Sequence, residues 1–312
     1  GKYQSYMGLI ANCGTLFASV MNLIILPIAG WREVFVFCGI LGAVVVILVL
    51  TCMDESPRWL AMMGRNDQAD AIVTKLETKA AAGGKAVPEV TDEEIAARAA
   101  EQEVKQLPFS VLFKKSMITR TLTAMFLCFV MNVLVYTIIT WTPTILVAKG
   151  FDTSMSTLMT VVMQLGIPVG VGALTFYVEK VNRKTILIGS YLAVAILGPI
   201  WSLLPTDNTA LIMGFGFLVC VFTFTNSVTT AAISLSEPFP TACRIRGAGL
   251  ANAFGIVSPM WIAFFVASPI GTMGAYLINS ALAVAMSIWL AVFGVETRGR
   301  TLEDITKGLL DD

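Results

Sequence analysis

The stretch Val34–Met53, VFVFCGILGAVVVILVLTCM, contains no Asp, Glu, Lys or Arg and is bounded by Arg32-Glu33 and Asp54-Glu55. A helix rises ~1.5 Å per residue, so ~20 such residues cross the hydrocarbon of a bilayer. The run has no polar face to offer water, which separates it from the amphipathic helix of a soluble domain. It reads as a membrane span. Working outward, Tyr3–Trp31, Thr121–Ala148, Thr153–Val178, Thr185–Thr206 and Asn208–Ser236 are uncharged runs of similar length. Gly247–Val295 is long enough for two crossings, divided by the turn-like Ser268-Pro269-Ile270-Gly271-Thr272-Met273-Gly274. The expectation is an all-α polytopic membrane protein with eight spans.

Composition agrees. The chain is 56% hydrophobic and 13% charged, where an ordinary soluble domain has about 25% charged residues. Its mean hydropathy is +0.78. The formal net charge is zero, which gives a nucleic acid no electrostatic footprint. There is no histidine, so imidazole serves neither as base, pH switch nor metal ligand. The six cysteines lie in or beside apolar runs without CxxC spacing and read as packing residues. No metal and no cofactor are expected.

Charge placement gives the orientation. With the Met53–Arg120 loop cytoplasmic and the spans alternating, all of the 21 lysines and arginines except Arg32 and Lys149 fall on the cytoplasmic side. Both ends of this chain are then cytoplasmic. Trp31, Trp141 and Trp201 fall near outer span ends, as an interfacial aromatic belt would place them. In the loop, Ala69, Ile72, Val73 and Leu76 share one face of a helix over Arg65–Ala80. Thr91-Asp92-Glu93-Glu94 reads as a capping box opening a second short helix.

The two ends of the chain resemble each other. Gly8-Leu9-Ile10-Ala11-Asn12-Cys13-Gly14 returns, slightly shifted, as Gly249-Leu250-Ala251-Asn252-Ala253-Phe254-Gly255. Pro27-Ile28 matches Pro269-Ile270, and Glu55-Ser56-Pro57-Arg58 matches Glu296-Thr297-Arg298-Gly299-Arg300. The shared offset of about 240 residues marks an internal duplication. Four spans precede the second copy and none the first, and residue 1 is Gly. The expectation is therefore a chain lacking four earlier spans. Residues 1–54 would be the last two spans of a first bundle, 55–118 a cytoplasmic loop, and 119–312 a second six-helix bundle with a cytoplasmic tail. Parallel six-span repeats of this kind build major facilitator transporters.

The motifs carry a family resemblance. Glu55-Ser56-Pro57-Arg58-Trp59-Leu60, Glu237-Pro238-Phe239-Pro240-Thr241 with Arg244 and Gly247, the basic turn Val181-Asn182-Arg183-Lys184, and Glu296-Thr297-Arg298-Gly299-Arg300-Thr301-Leu302-Glu303 resemble, in order, motifs of the sugar-porter branch of the major facilitator superfamily. Two departures set it apart from true sugar porters. Phe126–Asn132 lacks their glutamine pair, and Thr229-Thr230-Ala231-Ala232-Ile233 stands in place of a GPxPW-like turn. Trp141-Thr142-Pro143-Thr144-Ile145-Leu146 looks more like bacterial metabolite:proton symporters and carriers of niacin or aromatic acids.

The resemblance implies a secondary active transporter, not an enzyme, working by alternating access in a plasma or bacterial inner membrane. Its partners would be a small-molecule substrate, protons and the lipid bilayer, and it would act as a monomer. An organic or aromatic acid such as a nicotinate-like compound is the expected cargo. A sugar carrier of the same fold and a transport-inactive receptor or scaffold are the alternatives. Counting helical rise, Asn12, Asn132, Gln164 and Asn226 fall near the midplane on four different spans, with Tyr136 and Trp261 close by. These six are the candidate substrate-binding residues, since amides inside spans are costly unless they face a cavity or another helix. Asn279 breaks the pattern, lying in a span that the family turns toward lipid. The run Gly166–Gly172 reads as a close-packing face, with a hinge as the competing reading. Glu55, Arg58, Arg183, Glu237, Arg244, Glu296 and Arg298 sit at inner span ends and form the candidate gating network. No acid or base lies inside any span, so a proton-coupling carboxylate is expected elsewhere.

Overall fold

A computed structural model describes residues 2–82, 108–178, 180–231, 239–240, 243–266, 271–294 and 296. Thirteen α-helices are formed among them. They are α1 Lys2–Ala29, α2 Trp31–Cys52, α3 Pro57–Met62, α4 Asn66–Ala82, α5 Ile118–Tyr136, α6 Thr142–Ala148 and α7 Thr153–Gln164. The rest are α8 Gly166–Tyr177, α9 Arg183–Leu203, α10 Thr209–Thr229, α11 Arg244–Ile256, α12 Ser258–Val266 and α13 Gly271–Phe293. Seven stretches are long and apolar enough to cross a membrane: Tyr6–Ala29, Trp31–Cys52, Ile118–Ala148, Thr153–Tyr177, Arg183–Leu203, Thr209–Thr229 and Gly274–Phe293. The remaining expected crossing is present as two shorter pieces, α11 and α12. Of the expected turn Ser268–Gly274, residues 268–270 lie outside the described residues and Gly271–Gly274 instead open α13; the second loop helix expected from Thr91 also lies outside them.

Prolines explain the broken spans. A proline cannot donate to the carbonyl four residues earlier, and its ring crowds that oxygen. Pro168 disturbs the Gln164 carbonyl, and α7 gives way to α8 at Leu165. Pro259 does the same to Gly255, and α11 ends at Ile256. Before Pro143 the chain widens into a π-turn, Thr137–Trp141, between α5 and α6. Helix starts are sealed locally. Asp152 accepts from the Met155 N–H at 3.1 Å and Asn208 from the Leu211 N–H at 3.1 Å, satisfying donors that a helix leaves unpaired.

Two compact units result, Gly1–Pro27 with Lys105–Asp312, and Ile28–Val104. In the second unit, α2 buries none of its residues. It is apolar all round, as suits a membrane span. The helices α3 and α4 pack on each other around Leu60 and Ala69. Lys75 donates to Asp54 at 2.7 Å and holds its carboxyl below the usual range.

In the first unit, α9 lies between α10 and α13, and α11 lies along α5. One core cluster gathers Ile138, Met159, Met163, Ile167, Val171, Ile212, Phe224 and Tyr276, with Leu9 of α1 packed against it. Gly166 and Gly170 bring α8 against α10 backbone to backbone. A Cβ at either would strike the carbonyl oxygen of Phe217 or Val221. Thr225 Oγ1 donates to the Gly170 carbonyl at 3.1 Å across the same contact. Close packing of small residues is the usual basis of helix association in lipid, where no hydrophobic force operates between helices. The glycine run is thus a packing face, and the bend beside it belongs to Pro168.

Trp201 departs from the aromatic-belt expectation. It is buried, 1% exposed, and its Nε1 donates to the Ile212 carbonyl at 2.9 Å. Its ring lies 5.1 Å from that of Tyr276. Lys149 Nζ stands 5.3 Å over the indole and donates to the Ser202 carbonyl at 2.8 Å, closing the C-terminal end of α9. Burial pushes the Lys149 ammonium below its ordinary value. A tryptophan at a span end that finds a carbonyl partner inside the bundle has no need of the headgroup region.

Candidate functional site

Three of the six candidate binding residues belong to a face left uncovered by the unit. On α5, Met125, Phe129, Asn132 and Tyr136 follow one another at helical spacing, and each is half-buried or exposed. Asn132 Nδ2 donates to the Cys128 carbonyl at 2.9 Å. Its side chain reaches α11 at Gly255, where a Cβ would come within 2.8 Å of Nδ2. Tyr136 lies one turn further out and is 37% exposed. Trp261 of α12 is 53% exposed and stands edge-on to Phe129, with ring centroids 6.4 Å apart. Phe254 of α11 completes the group, 5.5 Å from Phe129. The sequence reading included neither Phe129 nor Phe254. Their spacing from Asn132 and Trp261 was visible, but apolar aromatics in a span are commonplace.

The other three amides are placed differently. Asn226 is 1% exposed and turned toward α9, where its Nδ2 donates to Ser190 Oγ at 3.1 Å. Its Oδ1 accepts from Thr230 Oγ1 at 3.4 Å. Tyr191, next to Ser190 on α9, donates to the Leu127 carbonyl at 3.3 Å, so α9 is tied to α5 as well as to α10. Asn12 is half-buried on α1, its Nδ2 donating to the Gly8 carbonyl at 2.7 Å. Gln164 is 1% exposed and its Oε1 has no hydrogen-bond partner. An orphaned buried oxygen costs about 1–3 kcal/mol.

Gln164 lies on the α7 face that carries Thr153 and Thr157. Those two, with Ser154, Asn22, Leu23, Leu26 and Pro27, line a cavity of about 150 Å³ between α7 and α1. Its lining is neutral, with an amide on the α1 wall and hydroxyls on the α7 wall. A second cavity, of about 10 Å³, lies between Thr137, Gly198, Tyr276, Asn279 and Ser280. It has room for one water at most.

The start of α9 and the end of α13 carry a reciprocal cap. Glu296 accepts from the backbone N–H groups of Arg183 and Lys184, both at 3.2 Å, at the start of α9. Lys184 Nζ in turn donates to the Ala291 carbonyl at 2.8 Å and the Gly294 carbonyl at 3.3 Å, at the end of α13. An anion at a helix N-terminus and a cation at a C-terminus both complement the helix dipole. These bonds join two helices of the same unit. Arg244 Nε donates to the Phe239 carbonyl at 3.3 Å, on the α11 side. Glu55 is exposed between α2 and α3. Glu237, Arg298 and the side chain of Arg58 lie outside the described residues. In the other unit, Lys75 and Asp54 form an ion pair at 2.7 Å. Sequence reading passed over it because Asp54 stands beside the motif residue Glu55 and Lys75 is a full helix away.

Long apolar helices, several of them interrupted at prolines, define a polytopic helical membrane protein. The family described as sugar (and other) transporter matches residues 1–309, and the chain belongs to that family. The inner membrane metabolite transport protein YdjE of Escherichia coli (strain K12) is 29% identical over 98% of this chain and 68% of its own length. The niacin transporter NiaP of Acinetobacter baylyi is 27% identical over 97% of this chain and 66% of its own length. The solved structure of the major facilitator proton:xylose symporter XylE of E. coli superposes with a TM-score of 0.66 at 22% identity, covering 98% of this chain and 66% of that one. That likeness establishes the major facilitator fold. The chain spans about two thirds of the length of these relatives. It is a multi-pass inner-membrane protein of the transporter class, not an enzyme.

Proposed function

We propose that this chain forms the last two spans of a first bundle and the whole second bundle of a carrier. That carrier moves a small metabolite by alternating access, together with protons. The cargo is an organic or aromatic acid of nicotinate-like size. The observation behind this choice is the uncovered face on which Asn132 and Tyr136 stand beside Phe129, Phe254 and Trp261. Aromatic rings stack on aromatic rings edge-on or offset, and an amide and a phenol supply hydrogen bonds to a ring nitrogen or carboxyl group. A carboxylate that travels with a proton carries no net charge, which suits a face without Lys or Arg. The likeness to a niacin transporter supports the same choice. Gln164 and Asn12 would contribute from the α7 and α1 sides, while Asn226 acts through the packing of α9 and α10. Glu55, Arg58, Arg183, Glu237, Arg244, Glu296 and Arg298 form the inner rim, in which the Glu296–Lys184 cap braces the second bundle. Both ends of the chain lie in the cytoplasm.

Uptake of radiolabelled nicotinate and benzoate by cells making the full-length protein is expected, with Asn132→Ala and Trp261→Ala each raising KM about tenfold. Uptake of a hexose or pentose in place of both acids would overturn the choice of cargo. A sugar is the second reading, favoured by the neutral hydroxyl- and amide-lined cavity of Asn22, Thr153, Ser154 and Thr157. No uptake of any of these, with the protein present at the membrane, would point to a receptor or scaffold.

A further inference from the structure

Asn279 sits in α13, a helix whose outward stripe of Leu277, Val284, Ile288 and Val292 is exposed and apolar. Asn279 itself is buried, and its Nδ2 donates to Thr137 Oγ1 at 2.9 Å. Thr137 spends its own proton on the Val133 carbonyl at 2.7 Å, so the hydroxyl is used as donor and acceptor at once. Three residues earlier on the same α13 face, the buried Tyr276 lines the same small void as Thr137. Thr142 Oγ1 reaches back to the Thr137 carbonyl at 3.5 Å. Thr137 opens the π-turn and Thr142 is the first residue past it. Asn279 of α13 therefore holds the start of the one wide turn in the α5–α6 span. The water-sized void among Thr137, Tyr276, Asn279 and Ser280 leaves slack at the same spot.

A π-turn carries one residue more than an α-turn, so the helix beyond it is rotated relative to the helix before it. Tyr136 precedes the turn, and Thr140 and Thr144, both exposed, continue the uncovered face through and past it. We propose that Asn279 is a positioning residue: by bonding Thr137 it holds the π-turn wound, and so sets where the outer half of this span presents Thr140 and Thr144 to the substrate path. The proposal rests on the reading of the α5 face as that path, but its test reads geometry and not uptake.

In the full-length protein, a Thr140→Cys variant is labelled from outside with a membrane-impermeant methanethiosulfonate reagent. Adding Asn279→Leu, which keeps the branched four-atom side chain and removes the donor, is expected to change the labelling rate by about threefold to tenfold. Thr137→Val should do the same, Thr137→Ser should behave as the parent, and the Asn279→Leu/Thr137→Val pair should exceed neither single change. A general loosening would also speed labelling at the buried Ser156→Cys, which is expected to stay protected. Unchanged rates at Thr140→Cys, effects that multiply in the pair, or equal exposure of Ser156→Cys would each overturn the assignment. Should Asn279→Leu fail to accumulate, the Thr137→Val and Thr137→Ser comparison decides the matter alone.

Discussion

Replacing Glu296 by alanine tests the reciprocal cap directly. Its carboxylate accepts two backbone N–H groups, from Arg183 and Lys184, at 3.2 Å each. Both distances are at the long end of the hydrogen-bond range, and the site is only part-buried. Each bond is therefore worth less than a buried charge-assisted bond, and the pair with the helix dipole contributes about 1–2 kcal/mol. At 1.36 kcal/mol per decade, the first turn of α9 should open about 5–30 times more often without the carboxylate. Hydrogen–deuterium exchange of the peptide containing residues 183 and 184 reads that opening. Glu296→Gln, which keeps one oxygen as acceptor, should fall between the parent and alanine. Lys184→Met removes the bonds to the Ala291 and Gly294 carbonyls, so it should loosen the end of α13. If Glu296→Ala left exchange at 183 and 184 unaltered, the carboxylate would be a bystander and the bracing of this bundle would need another source.

Other outcomes follow from the packing. Gly170→Ala places a methyl group against the Val221 carbonyl and should cost about 2–3 kcal/mol in detergent melting, whereas Gly172→Ala, with open space around it, should be nearly neutral. Lys149→Met strips the cap from the Ser202 carbonyl and should lower stability by about 1 kcal/mol, read as a lower midpoint in the same melts. Thr157→Trp fills much of the cavity beside Asn22. It should abolish uptake if cargo passes there and leave it intact if the cavity is a by-product of packing.

The spans were legible because hydrocarbon thickness imposes a strict length and forbids unpaired charge. Val34–Met53 and Trp31–Cys52 differ only at their ends for that reason. Azimuth was not legible. Asn132 and Asn226 read alike in sequence, yet one stands on an open face and the other is spent on Ser190 and Thr230. Which way a mid-span amide points depends on the neighbouring helix, and that neighbour is far away in the chain. The breaks at Leu165 and Val257 fall just before Pro168 and Pro259, prolines to which the sequence reading assigned no break. The π-turn before Pro143 was no plainer, because one proline permits a kink, a widened turn or a stop. Trp201 shows the same limit: its position at a span end was right, but the partner that draws it inward, the Ile212 carbonyl, belongs to the next span.

The junction of α8 with α10 has no layer of side chains between the two main chains, so nothing there can be exchanged for a different side chain and still fit. The exposed aromatic face of α5, α11 and α12 leaves room for exchange, while the frame behind it leaves none for a larger residue at Gly166 or Gly170.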